Sequence, residues 1–182
     1  TYHWFSSTLV VRHDGYSSFL ADRPPVFPLL TAMVDGVLDN LLLSGSVASI
    51  LAGCALVIAV YALLRQTSGP TAALIGAVMV ACSYPMVQYS IHYSGYMTHA
   101  ALLAAAAAAV FRACSAPGRG IFLLAGLLLG LAGLTLFWAP LTVLWLLALL
   151  IGVPWRKKLG GRRFLLDGSL AILPVIALAA GR

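Results

Sequence analysis

Long apolar segments, separated by short polar or basic connections, make up most of this chain after about its first forty residues. An α-helix rises about 1.5 Å per residue, so about 20 apolar residues cross the hydrocarbon core of a bilayer. The segments predict six spans, at residues 44–65, 70–88, 96–113, 121–136, 138–155 and 164–180. The pattern therefore predicts an all-α polytopic membrane protein with a helix bundle over residues 44–182.

Small residues follow a helical period in the first of these spans. Gly45, Ser49 and Gly53 recur every four residues, which places them on one face of a helix. Small side chains let two helix backbones approach closely inside a membrane. We therefore expect this face to pack against a neighbouring helix.

The first part of the chain differs from the bundle. Residues 1–24 mix aromatic and polar side chains without a sustained period, which predicts a loop on the outer face at the membrane interface, where aromatic rings are favoured. Residues 25–43 begin with an apolar stretch about half as long as a span. Asp35 and Asp39 make burial in lipid costly. We therefore expect a short juxtamembrane or interfacial helix here.

The charges indicate how the chain is oriented. It carries 11 Lys and Arg against 5 acidic residues, and 62% of its residues are hydrophobic. Basic residues concentrate at Arg65, in the connection 112–119 and over 156–163, and the positive-inside rule places all three on the cytoplasmic side. Residues 1–43 and the connection 84–96 then share the outer face. The charge thus reports membrane orientation, and nucleic-acid binding is not predicted.

Polar side chains that could carry chemistry gather on the predicted outer face. His13, Asp14, Asp22 and Arg23 precede a double proline. A guanidinium can hold two phosphate oxygens and offset charge that grows on a leaving group. Arg23 is therefore a candidate for phosphate stabilisation, Asp14 a candidate general base, and Asp22 and His13 candidates for substrate binding. The alternatives are an interfacial arginine that snorkels or a simple Asp22–Arg23 charge pair, and an ordinary Asp-Gly turn at Asp14.

A second group follows in the connection to the third span. His92, Tyr96 and His99 are spaced by four and three residues, so a helix that starts early would place them on one face. Such a face could bind a metal, a sugar hydroxyl or a pyrophosphate, and the alternative is interfacial aromatics with a packed histidine. Two histidines without a carboxylate do not make a metal motif. We therefore name all three residues as substrate-binding candidates and predict no metal site.

Three motifs, taken in order, form a further pattern. They are Val11–Tyr16 followed by Asp22–Ala32, then Ser83–Pro85 followed by Tyr93–Ala100, and finally Leu124–Pro140. Together they resemble the polytopic GT-C glycosyltransferases that use polyprenyl-phosphate sugars. That group holds the protein O-mannosyltransferases and the aminoarabinose lipid A transferases, and the pattern is similar to the bacterial branch that resembles dolichyl-phosphate-mannose-protein mannosyltransferases.

The resemblance implies a GT-C-like bundle whose active site lies where an outer loop meets the outer ends of the spans. It implies transfer of a sugar from a polyprenyl-phosphate donor to a lipid, glycan or protein hydroxyl, on the outer face of a prokaryotic inner membrane. Arg23 matches the family's basic residue that contacts the lipid phosphate. The family's acidic base would lie upstream of Thr1, so we expect a fragment that is inactive alone.

Two departures from the family pattern bear on cofactors. His99 stands where many members have Asp, and Trp138-Ala139-Pro140 replaces the usual Arg-Pro. No cofactor is therefore assigned, and the use of a divalent cation stays undecided. The competing class is a transporter or lipid-binding membrane module without catalytic activity. Transporters tend to show internal repeats and broken or charged helices at mid-membrane depth, and no clear repeat is evident in this sequence.

Overall fold

The structure is a computed structural model that describes residues 25–92, 95–115 and 119–135. Within these residues every regular element is an α-helix. The helices are α1 (Val26–Leu38), α2 (Leu41–Thr67), α3 (Pro70–Ala81), α4 (Tyr84–Ile91), α5 (Tyr96–Ser115) and α6 (Arg119–Gly133). Two of them, Leu41–Thr67 and Tyr96–Ala113, are long and apolar enough to cross a membrane, and α3 with α4 adds a third if the pair is one span. The prediction of an all-α polytopic membrane protein is confirmed.

Helix α2 is the centre of the described part of the chain. The Asn40 side chain accepts a hydrogen bond of 3.1 Å from the Leu43 N–H, which caps the start of the helix. Its 27 residues correspond to about 40 Å, more than the thickness of a hydrocarbon core. Helices α1, α3, α4 and α5 all pack against it, and α6 packs against α5. Helices α2 and α5 therefore form the frame of the described part of the bundle.

The small-residue face of α2 packs as the sequence predicts. Gly45, Ser49 and Gly53 are all buried, and the Ser49 hydroxyl donates to the Gly45 carbonyl at 2.9 Å, so this polar group is satisfied within the helix. A Cβ atom at Gly53 would lie 2.5 Å from Ser90 Oγ and 3.3 Å from Met86 Cε, both in α4. The backbone of α2 thus makes room for α4 at Gly53.

The region predicted as one span over residues 70–88 consists of two helices. Helices α3 and α4 meet at an angle of 56°. Pro85 lies in the first turn of α4, where it lacks the N–H that would continue the hydrogen bonding of α3, and its ring would clash with the carbonyl four residues earlier. The Ser83 hydroxyl turns back and donates to the Val80 carbonyl at 2.8 Å. The predicted outer connection 84–96 accordingly begins with a helix.

Helices α1 and α2 form a hairpin. Phe27 is fully buried and packs in one cluster with Ala48 of α2. At the other end of α1, Asp35 is only 5% exposed, and its Oδ1 lies 3.4 Å from the Ser44 hydroxyl. Asp39 ends the helix in a left-handed conformation with φ 47°. With 13 residues, α1 is too short to cross a bilayer alone, and its interfacial placement stays a prediction.

Some of the predicted segments fall outside the described residues. They are the leader 1–24 and the spans 138–155 and 164–180. The division of the chain into a loop, a juxtamembrane helix and six spans therefore stays a prediction.

Candidate functional site

Three of the predicted site residues, His92, Tyr96 and His99, belong to the part of the chain that the structure describes. The other four lie outside it: His13, Asp14, Asp22 and Arg23. The geometry of the site is therefore built from the start of α5 and the elements that surround it.

The three described residues do not share a helix face. Helix α5 begins at Tyr96, whereas His92 directly follows α4 with an extended backbone, at φ −83° and ψ 139°. Tyr96 is 51% exposed, and its ring meets the Tyr89 ring of α4 edge to face, with centroids 5.6 Å apart. This contact ties the start of α5 to α4. A helix face common to all three residues would require α5 to start before His92, and α5 starts at Tyr96.

His99 instead connects α5 to the end of α6. Its Nδ1 lies 2.8 Å from the Ala132 carbonyl oxygen and 2.9 Å from the Thr135 hydroxyl oxygen. The Thr135 hydroxyl itself donates to the Ala132 carbonyl at 2.6 Å. We call His99, Ala132 and Thr135 the α5–α6 latch. Sequence reasoning missed the two partners because they lie 33 and 36 residues away and no local pattern marks them.

The latch requires a hydrogen on Nδ1 of His99. A carbonyl oxygen can only accept, so the 2.8 Å contact to Ala132 requires a hydrogen on Nδ1. The Thr135 hydroxyl uses its own hydrogen for the same carbonyl and therefore accepts from Nδ1. Both contacts agree on one arrangement, in which His99 donates from Nδ1 to α6.

Thr98, the residue before His99, bears on the stability of the protein. Thr98 is only 7% exposed, and its Oγ1 has no hydrogen-bond partner among the described residues. A buried hydroxyl without a partner has lost its bond to water without replacing it. Removing the Thr98 hydroxyl is therefore expected to stabilise the folded protein.

We expect Thr98→Val to raise the free energy of unfolding by about 1 kcal/mol, because valine keeps the shape and removes the unpaired hydroxyl. Thermal unfolding in detergent micelles, compared with the wild type, measures this. A fall in Tm would show that the hydroxyl has a partner that stabilises the protein.

The start of α1 and the start of α5 meet the same face of α2. Phe27 packs with Ala48, and one turn further along α2 Ala52 forms a cluster with Met86 and Met97. Residues 48 and 52 lie on one side of a helix, about 6 Å apart along its axis. The segment that follows the double proline and the segment that carries Tyr96 and His99 therefore converge at one level of the bundle.

No set of three or more His, Cys, Asp or Glu side chains in the described ranges is placed to hold a metal ion. Cys54 and Cys82 are exposed, free thiols. The described site residues carry aromatic rings, hydroxyl groups and imidazoles, which are groups suited to hydrogen bonding and stacking against a polar organic ligand.

The apolar helices and their packing define an integral membrane protein of the α-helical class. A comparison with protein families matches residues 22–179 to the family described as dolichyl-phosphate-mannose-protein mannosyltransferase. The match covers most of the chain, and the chain belongs to this family of GT-C membrane glycosyltransferases. No curated protein and no solved structure gives a significant match.

Proposed function

We propose that this protein transfers a sugar from a polyprenyl-phosphate donor to a hydroxyl group of a lipid, glycan or protein acceptor. The observation that carries the proposal is the family match over residues 22–179, which includes both the Arg23 segment and the start of α5. The chemistry takes place on the outer face of a prokaryotic plasma membrane. The positive-inside distribution of the basic residues supports this sidedness.

The packing on α2 supports a shared site for the two groups of candidate residues. Arg23 lies four residues before Phe27 in the sequence, and His99 lies two residues after Met97. Because Phe27 and Met97 pack on one face of α2 a single turn apart, the start of α1 and the start of α5 are held near the same depth of the bundle. The proposal assigns the donor phosphate to Arg23 and its attached sugar to the start of α5.

The roles follow from the chemistry of the reaction. Arg23 stabilises the lipid phosphate as it leaves, since a guanidinium can hold two of its oxygens. A carboxylate removes the proton from the acceptor hydroxyl; the resemblance places this base before Thr1, and Asp14 is the candidate within the chain. Substrate binding falls to five residues: His13, Asp22, His92, Tyr96 and His99.

A second candidate function has one observation in its favour. Helices α3 and α4 form a broken pair with a 56° bend, and broken helices are frequent at the substrate sites of transporters. In this reading the polar and aromatic side chains near the bend line a path for a solute or lipid. The protein would then move its ligand across the membrane without making or breaking a bond.

Reconstitution of the protein in its full-length form into proteoliposomes separates the two functions. Vesicles are given dolichyl phosphomannose labelled in the sugar, together with a mixture of hydroxyl-bearing lipid and peptide acceptors, and a parallel sample is tested for uptake of free labelled sugar. We expect label in a new glycosidic product and no uptake above empty vesicles. Uptake or lipid movement without a new product would support the transporter.

A further inference from the structure

We propose that His99 binds the substrate as a hydrogen-bond acceptor, with its Nε2 taking a hydrogen bond from a sugar hydroxyl while Nδ1 stays bound to α6. This inference deepens the proposed function and rests on it. The Nε2 atom of His99 then recognises the sugar, which is the neutral, hydroxyl-bearing part of the substrate. Phosphate recognition is left to Arg23.

In the α5–α6 latch, His99 donates a hydrogen bond to α6. Nδ1 is the donor because the Ala132 carbonyl at 2.8 Å can only accept. In a neutral imidazole one nitrogen carries the hydrogen and the other is an acceptor. With the hydrogen held on Nδ1, the Nε2 of neutral His99 presents a lone pair.

The α5–α6 latch uses Nδ1 of His99 and leaves Nε2 unused. Within the described ranges, Nε2 has no hydrogen-bond partner, although the His99 side chain is partly buried. A hydrogen bond from Nδ1 to a backbone carbonyl is a common way to set which nitrogen of a functional imidazole carries the hydrogen. The ring is therefore held in a fixed orientation, with one acceptor available.

The chemistry of Nε2 indicates which part of the substrate it binds. In the neutral form that the proposal assigns to His99, the Nε2 lone pair repels the oxygens of a phosphate and attracts a hydroxyl hydrogen, so it fits a sugar better than the lipid phosphate. The neighbouring Tyr89–Tyr96 pair places two aromatic rings near the start of α5, with Tyr96 51% exposed. Tyr96 lies three residues before His99 in α5, and aromatic rings near a hydrogen-bond acceptor suit a ligand with both C–H and O–H groups.

The kinetic test uses a substitution that separates the two nitrogens. In His99→Asn the side-chain amide can take the place of Nδ1 and donate to Ala132, but nothing replaces Nε2. We expect kcat/KM for sugar transfer to fall about tenfold, the effect of losing one hydrogen bond to a neutral group, with Tm close to the wild-type value. Thr98→Val, one residue away and outside the proposed contact, is the matched control and keeps wild-type kinetics.

The same kinetics distinguish the source of the hydroxyl. A rise in KM for dolichyl phosphomannose alone assigns the contact to the sugar of the donor, and a rise in KM for the acceptor alone assigns it to the acceptor. Wild-type kinetics in His99→Asn would overturn the proposal. Wild-type kinetics are expected if the α5–α6 latch has only a structural role, because the substitution keeps the hydrogen bond to α6.

A spectroscopic test does not depend on turnover. Nitrogen NMR of histidine-labelled protein in nanodiscs, with the His99 signals assigned by their loss in His99→Asn, reports which ring nitrogen carries the hydrogen. We expect hydrogen on Nδ1 and a bare Nε2, whose signal moves on addition of dolichyl phosphomannose and does not move with sugar-free dolichyl monophosphate. A hydrogen on Nε2 overturns the inference, as does a response to the sugar-free lipid alone.

The two proposals fail in different ways. If the wild type transfers no sugar from any polyprenyl-phosphate donor, the proposed function is lost and the NMR result still decides whether Nε2 is a bare acceptor for a sugar. If the wild type is active and His99→Asn is indistinguishable from it, the proposed function stands and the role of His99 is lost.

Discussion

Replacing Arg23 by alanine should lower the turnover of sugar transfer by about two to three orders of magnitude, the effect of removing one preorganised group from a developing negative charge. In the proposed mechanism the lipid phosphate departs with more charge than it carries in the donor, and Arg23 is the cation nearest in sequence to the double proline. Rates are measured with dolichyl phosphomannose in proteoliposomes, at donor concentrations above and below KM.

Two further substitutions make the Arg23 result specific. Arg23→Lys keeps the charge but loses the planar fork that binds two oxygens, so its turnover should lie between those of the wild type and Arg23→Ala. Arg65→Ala removes an exposed arginine from the end of α2, on the predicted cytoplasmic side, and should leave turnover close to normal. Near-normal turnover in a folded Arg23→Ala protein would remove this residue from the mechanism.

Replacing Gly53 by leucine should destabilise the protein by about 3 kcal/mol, at the upper end of the usual cost of overpacking. Even a single Cβ at this position would lie 2.5 Å from Ser90 Oγ, so a leucine must push α4 away from α2. Because α4 also carries Tyr89, the ring partner of Tyr96, we expect sugar transfer to fall together with stability. Thermal unfolding in micelles and the transfer assay measure the two effects.

A control and a double-mutant cycle test the cause. Gly36→Ala, in α1, meets no atom within 4 Å and should stabilise by about 0.5–1 kcal/mol, since alanine favours a helix over glycine. Gly53→Ala should destabilise less when combined with Ser90→Ala, which removes the nearest atom. Additive effects of Gly53→Ala and Ser90→Ala would show that the two side chains do not compete for the same space.

The helices were predictable because the membrane imposes a simple pattern. Apolar runs between basic connections indicated α2 and α5, and the spacing of Gly45, Ser49 and Gly53 indicated the face of α2 that packs closely. Pro85 was visible in the sequence, but its consequence, a bend of 56° between α3 and α4, depends on whether a helix continues through it. Hydropathy alone does not register that break.

The contacts of the site were not predictable in the same way. The partner of His99 depends on how α5 and α6 pack against each other, and helical periodicity gives only the face on which a residue lies. The early helix start needed to group His92 with Tyr96 and His99 did not occur, because His92 adopts an extended conformation after α4. Long-range packing therefore decided which candidate residues were brought together.

The most direct test of the central claim is the stoichiometry of the reaction. Purified full-length protein in proteoliposomes is given a polyprenyl phosphomannose labelled separately in its sugar and its phosphate, with a hydroxyl-bearing acceptor. If the protein transfers the sugar as proposed, we expect one polyprenyl monophosphate to be released for each sugar that enters a new glycosidic bond. Release of free sugar or recovery of intact donor, with no glycosidic product in the presence of any acceptor, would contradict it.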